Sequence, residues 1–259
     1  MPATETRQPG FAAAYQRLRS AQKSTPGAPA YSLYVNRPLG RVLAAAAYQV
    51  GLTPNQVTYI SAFFSLLGIL VLATVPPTWL TGLAVCLALV LGYAFDAADG
   101  QLARLRGGGS SVGEWLDHMI DSAKISSLHL AVLVAAYRHF DLPSTTWLLV
   151  PIVFTVVSAV HFFGMILVDQ LVRISRAATG AAAPAKVAPS PVRTLMKIPT
   201  DYGVLCLVFL LLGAPTVFFG AYTLLALGST GYLVLVLGKW RGDVAACDVA
   251  ARDATEEVS

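Results

Sequence analysis

The chain has 259 residues and a formal net charge of +4, with 56% of its residues hydrophobic and only 12% charged. Soluble domains carry about a quarter charged residues, so this composition excludes an ordinary soluble enzyme or nucleic-acid-binding module and indicates a membrane protein. Cys86, Cys206 and Cys247 show no paired spacing, and His118, His129, His139 and His161 no metal-ligand spacing, which excludes a disulfide framework and a zinc site.

Residues 1–30 are polar and rich in Ala, Pro, Gln and Ser, which predicts a partly ordered cytoplasmic tail with no secretory signal pattern. Residues 31–52 mix apolar residues with Arg37 and Arg41 and read as an amphipathic helix lying in the membrane interface. Thr53 is placed to cap the following helix, with Pro54 at its first position. Six apolar segments follow, at 57–75, 79–103, 113–137, 145–168, 199–214 and 216–238. Each is taken to cross a bilayer, which needs about 20 residues; the fifth is short for that task. Short connections at Pro76-Pro77, Asp141–Pro143 and Ala214-Pro215 suit antiparallel neighbours. The fold class expected is all-α integral membrane, with six transmembrane helices in a domain at 53–240 and a charged, Ala-rich cytoplasmic tail at 241–259.

Of the eighteen Lys and Arg residues, sixteen fall on one side of these spans, Arg138 on the other, and Lys124 inside a span. The positive-inside rule then predicts that both termini are cytoplasmic and that the protein is a multi-pass protein of the cell membrane.

The acidic residues are far less evenly spread. Asp96, Asp99, Glu114, Asp117 and Asp121 crowd into residues 95–121, out of 14 acidic residues in the chain. Asp96 and Asp99 are three apart and Asp117 and Asp121 four apart, spacings that put side chains on one helix face. With the linker 105–112 as a turn, Asp99 and Asp117 lie about 6–7 Å below it, and Asp96 and Asp121 about 12 Å, at 1.5 Å per residue. The matched depths bring four carboxylates to one point. One Asp near a bilayer centre costs roughly 2.5–3.5 kcal/mol, and four together repel, so a counter-charge is required. A donor set of oxygens alone favours Mg²⁺, Mn²⁺ or Ca²⁺. A hard-metal cup at the cytoplasmic membrane face points to chemistry on a phosphate or pyrophosphate group.

The stretch Asp96-x2-Asp99-Gly100-x2-Ala103-Arg104-x8-Gly113-x3-Asp117-x3-Asp121 resembles, at all eight fixed positions, the signature of the CDP-alcohol phosphotransferase family. The six spans, the interfacial helix and the Thr53–Asn55 run are similar to that family as well. The resemblance implies transfer of the phosphatidyl group from CDP-diacylglycerol, or a similar CDP-lipid, to the hydroxyl of a small polar alcohol, releasing CMP. It also implies that Asp96, Asp99, Asp117 and Asp121 hold two divalent ions, Mg²⁺ or Mn²⁺, with Asp121 as base. Gly100, Ala103, Arg104 and Gly113 would form the nucleotide pocket, and the enzyme would be a homodimer.

Around this motif, Glu114 reads as a solvated residue at a helix start, His118 as a packing residue, and Lys124 as a partial offset to the acidic cluster. Residues 107–113 (GGGSSVG) form a flexible turn and not a P-loop, since no Lys-Ser/Thr follows. Arg173, Arg176, Arg193 and Lys197 satisfy the positive-inside rule and are also the candidates for an anionic acceptor such as inositol phosphate or glycerol phosphate. The chain lacks the Arg-Ala-Arg-Ala-Glu run associated with actinobacterial phosphatidylinositol-phosphate synthases, which leaves the acceptor open. Asp169 and Asp201 would instead meet a hydroxylated or cationic acceptor. Two other classes use intramembrane aspartates: Mg²⁺-dependent prenyltransferases, which need two distant Asp-rich motifs, and cation transporters, whose carboxylates sit near the midplane within repeats.

Overall fold

Long runs of Leu, Val, Ala and Ile, with proline confined to first turns, fold as a bundle of helices. The computed structural model describes residues 10–20, 28–180 and 196–256, and among these there is no strand. The helices are α1 (Phe11–Ser20), α2 (Arg37–Gln49, entered through a π-helical turn at Ser32–Asn36), α3 (Pro54–Thr74), α4 (Trp79–Leu105) and α5 (Ser111–His139). They continue with α6 (Leu149–Thr179), α7 (Tyr202–Val208, extended by a 3₁₀ segment Phe209–Gly213) and α8 (Pro215–Glu256).

Five of these helices, α3, α4, α5, α6 and α8, are long and apolar enough to cross a membrane. Their surfaces agree: Tyr59, Phe63, Leu66 and Leu70 of α3 are all exposed at helical spacing, as are Val153, Val156, Val160 and Phe163 of α6. Water would penalise such stripes, whereas hydrocarbon accepts them, and the chain is a multi-pass membrane protein.

The helix starts follow from local chemistry. Thr53 caps α3 in a full capping box: Gln56 N donates to Thr53 Oγ1 (3.3 Å) and Thr53 N donates to Gln56 Oε1 (2.8 Å), with Pro54 just inside. Thr78 and Ser110 cap α4 and α5 in the same sense. The fourth expected span runs on to Thr179, because no breaker intervenes before Gly180, whose left-handed φ of +65° ends α6.

The expected fifth span is short, as its length implied. Tyr202–Gly213 supplies about 20 Å of rise against roughly 30 Å of hydrocarbon, because it has too few residues, and the longer rise of its 3₁₀ second half makes up little of the difference. It starts low. Asp201, 1% exposed, caps α7 by accepting from Gly203 N (3.1 Å), and its other oxygen accepts from Tyr31 N (2.8 Å) ahead of α2. Burial pushes the Asp201 carboxyl above the usual carboxylate range. Part of the expected N-terminal tail is also a helix: Ala14 and Leu18 of α1 are buried against Ala44 and Ala45 of α2, and Arg41 lies over the Tyr15 ring at 5.4 Å. At the other end, α8 carries the helix through most of the expected C-terminal tail.

Two cores hold the bundle. The larger joins Leu72, Val85, Leu89, Leu128, Val132, Phe209, Phe218 and Tyr222 from α3, α4, α5, α7 and α8, and the smaller joins α1 and α2 to Val57, Ala98 and Leu102. Within the larger, His129 meets Tyr222 Oη at 2.7 Å and Ser158 Oγ at 3.0 Å, which ties α5 to α8 and α6 by polar contacts inside the apolar region. The α3–α4 crossing is close: a Cβ on Gly92 would lie 2.2 Å from Ser65 Oγ and 3.0 Å from Ser65 N, and Ser61 Oγ donates to Gly92 O at 2.9 Å.

Gly92→Ala should therefore lower the thermal unfolding midpoint in detergent, at an overpacking cost of about 1–3 kcal/mol. Gly220→Ala, where a Cβ meets nothing within 4 Å, should leave it unchanged or slightly raised.

Candidate active site

The site is built where α4 ends and α5 begins. Arg106 closes α4, and Gly107 and Gly108 turn the chain with φ of +101° and +138°, values that side-chain-bearing residues avoid. Ser110 then starts α5 by accepting from Gly113 N at 3.0 Å. Arg106 Nη2 donates to Leu52 O at 2.8 Å and its guanidinium lies over Tyr48, so the turn is pinned to the α2–α3 elbow.

The two helices carry three of the four aspartates together. One oxygen each from Asp96, Asp117 and Asp121 lies within 4.8 Å of the others, and all three residues are half-buried. Asp117 Oδ1 is buried without a hydrogen-bond partner. A buried carboxylate oxygen left orphaned in a cluster of carboxylates asks for a cation, and an all-oxygen set suits a hard divalent ion. Asp99 is not in that set. At about 100° per residue a three-residue step leaves roughly 60° between side chains, and this turns Asp99 toward α3, where Thr58 Oγ1 donates to its Oδ2 at 2.7 Å. Asp99 is only 6% exposed. Asp96, Asp99 and Asp117 nevertheless line one cleft of about 340 Å³.

Among the signature residues expected to hold a nucleotide, Gly100 and Arg104 line this cleft, whereas Ala103 and Gly113 do not. Gly113 instead faces α3, where an added Cβ would come within 3.2 Å of Asn55 Oδ1. Several lining residues were not singled out as site residues from the sequence: Asn36 and Arg37, ahead of and at the start of α2, Tyr93 and Gln101 of α4, and Leu18 of α1. Gln101 and Tyr93 lie on the turns of α4 adjoining Asp96 and Asp99, a signal the sequence did offer. The wall made by α1 and α2 depends on tertiary folding and left no local mark.

Lys124 is tied into the acidic cluster. Its Nζ lies 2.6 Å from Asp96 Oδ1 and 2.6 Å from Asp121 Oδ1, and 3.4 Å from Ser61 Oγ. His118 packs edge-on against Phe162, with Glu114 at 3.9 Å. Glu114 turns away from the aspartates and accepts from Arg173 Nη2 at 2.9 Å, while Arg173 also binds Asp169 at 2.7 Å. Arg176 is half-buried on the same stretch of α6, and Arg193 lies outside the described residues. Lys197 opens the short 3₁₀ turn Ile198–Thr200, and burial, followed by the charge of Lys239, holds its ammonium below the usual lysine range.

The family model for CDP-alcohol phosphatidyltransferases matches residues 51–236. The chain belongs to that family, and it is an enzyme. Among solved structures it is similar to the phosphatidylinositol phosphate synthase PgsA1 of Mycobacterium tuberculosis. The manganese and citrate complex is 21% identical, with 76% of this chain and 87% of that one covered at a TM-score of 0.49. The complex with CDP-DAG is 22% identical, with 80% and 93% covered and a TM-score of 0.47. No curated protein matches the sequence.

Removing the Thr58 hydroxyl tests the environment of Asp99. Thr58→Val leaves a buried carboxylate oxygen without its donor, and should cost about 1–3 kcal/mol in unfolding free energy, read by thermal or denaturant melting in detergent.

Proposed function

We propose that this enzyme moves the phosphatidyl group of CDP-diacylglycerol, or a closely similar CDP-lipid, onto the hydroxyl of a small polar alcohol, and releases CMP. The observation that carries the proposal is the convergence of Asp96, Asp117 and Asp121 on one point beside a cleft lined by Arg104 and Arg37. The residues present fit Mg²⁺ or Mn²⁺: Asp96, Asp117 and Asp121 would hold the ions, with Asp99 completing the set from its Thr58 anchor. Bound there, the ions would neutralise charge on the diphosphate and on the leaving CMP.

The chain's own residues supply the rest. The acceptor oxygen bonds to the phosphatidyl phosphorus as the bond between that phosphorus and the bridging diphosphate oxygen breaks. The hydroxyl proton passes to Asp121, whose Oδ1 is held by Lys124 so that its orientation is set before the acceptor arrives. Arg104 and Arg37 offer positive charge for the nucleotide's phosphate, and Gly100 leaves space beside them, since a Cβ there would meet only Arg104 Nη1 at 3.6 Å. Half-burial of the aspartates limits water, which would otherwise compete with the alcohol.

For the acceptor, the four basic candidates are not equivalent. Arg173 is engaged by two carboxylates in an exposed pair, which supports a role at the rim. Arg176 and Lys197 are the better candidates for an anionic acceptor, with Arg193 as a third. An alcohol phosphate such as inositol phosphate or glycerol phosphate fits that charge. The excess of Lys and Arg on the carboxylate side supports a cell-membrane protein with termini and site in the cytoplasm. A homodimer is part of the proposal by family likeness. The family assignment weighs against a prenyltransferase or a cation transporter.

Purified protein in detergent with CDP-diacylglycerol, Mn²⁺ or Mg²⁺ and one acceptor at a time should release CMP with one acceptor only. Asp121→Asn should cut that rate by roughly 10²–10⁴-fold, the usual weight of a general base, and EDTA should abolish it. CMP release that survives both changes would sink the proposed mechanism. With the productive acceptor identified, Arg176→Ala should raise its KM more than Arg173→Ala does; the reverse order would place the acceptor at the rim.

A further inference from the structure

Asp117, Asp121 and Lys124 follow one another at steps of four and three along α5, which stacks them on one helix face. The lysine is thereby aimed at the point where the carboxylates meet, from one turn deeper in the bundle. It is 6% exposed. Its ammonium reaches one oxygen of Asp96 on α4 and one of Asp121 on α5, both at 2.6 Å, with Ser61 Oγ of α3 at 3.4 Å. An ammonium has three donors, and these three oxygens match them in number. Joining a carboxylate of α4 to a carboxylate of α5 is also what a metal ion would do there.

We infer that Lys124 is a resident cation of the metal cup, a positioning residue that keeps Asp96 and Asp121 together without metal and holds down the affinity for divalent ions until a diphosphate is bound. This rests on the metal-dependent reading of the site given above. Two arguments carry it beyond that reading. The first is competition: an entering ion and the ammonium draw on the same two oxygens, and like charges at such separations repel strongly in a half-desolvated site. The second is charge balance. The ammonium cancels one of four carboxylate charges, so two divalent ions would overfill the cup by one positive charge. The diphosphate of a CDP-lipid brings the negative charge that removes the excess. Metal and donor are then coupled, and by linkage each raises the affinity for the other.

The arrangement also explains why a lysine is kept in an apolar helix at all. Without it, the carboxylates of α4 and α5 would face each other with no compensation whenever metal is absent, and the helix ends would spread.

The test is a titration of Mn²⁺ into metal-stripped, full-length protein in detergent, with free Mn²⁺ read by electron paramagnetic resonance, without and with CDP. A protein-free control accounts for Mn²⁺ bound by CDP in solution. Wild type should bind Mn²⁺ weakly alone, and CDP should tighten it by about tenfold or more. Lys124→Met should bind Mn²⁺ about tenfold tighter than wild type without CDP and gain less from CDP, and its metal-free form should melt lower until Mn²⁺ restores it. Lys124→Arg keeps the charge and should stay close to wild-type affinity, which retains a decisive measurement if the Met variant does not fold. Unchanged or weaker Mn²⁺ binding by Lys124→Met, or a tenfold gain in Lys124→Arg, overturns the inference and leaves the metal-dependent reading standing. No Mn²⁺ binding by wild type in either condition removes that reading, and this inference with it.

Discussion

Carboxylates placed within an apolar bundle repel one another and lose hydration, and the rest of this fold is arranged around that cost. The α4–α5 hairpin brings Asp96, Asp117 and Asp121 within 4.8 Å of one another. Nothing apolar can offset such a cluster, because burying charge without a partner is far more costly than burying a side chain is favourable. The compensation is local and positive: Lys124 inside the cup, with Arg104 and Arg37 along its cleft. Thr58 supplies the remaining polar contact by holding Asp99 from the neighbouring helix.

Rigid surroundings keep that arrangement from relaxing. The capping box at Thr53 sets where α3 begins, and the clasp of Ser61 on Gly92 O sets how closely α3 and α4 cross. Arg106 ties the turn between α4 and α5 to the elbow below it. Each of these contacts lies within a few residues of a side chain that lines or feeds the cup. The geometry of the carboxylate cluster is thus the product of helix starts and helix crossings. Family membership fits this picture, since the fixed spacing of the signature is a statement about helix faces and depth.

Much of this was legible in the sequence because it is periodic. Spacings of three and four residues put the aspartates on common faces, and equal distance from a Gly-rich turn put them at common depth. The same arithmetic, taken one step further, leaves about 60° across a step of three and about 40° the other way across a step of four, and Asp99 turns toward Thr58. Lys124 was equally legible, seven residues after Asp117 on the same face. What the sequence could not show depends on contacts between distant segments. The packing of α1 on α2, and the capture of Tyr31 N by Asp201, join residues with no local pattern in common. The shortness of the α7 segment was legible from its length, but its 3₁₀ second half was not, since an apolar run reads alike whether it winds as α or tightens to 3₁₀.

That short helix has a consequence for the lipid around it. α7 and its 3₁₀ extension present Leu207 and Leu210 outward while Leu205, Cys206, Phe209 and Leu212 pack inward. At about 20 Å this segment falls short of the full hydrocarbon thickness, and a bilayer meets such a mismatch by local thinning where flanking residues do not snorkel or the protein does not oligomerise. The strain of that thinning grows with the acyl-chain length of the neighbouring lipids. The stability of one wall of the enzyme is therefore tied to the dimensions of the very class of molecule its family builds.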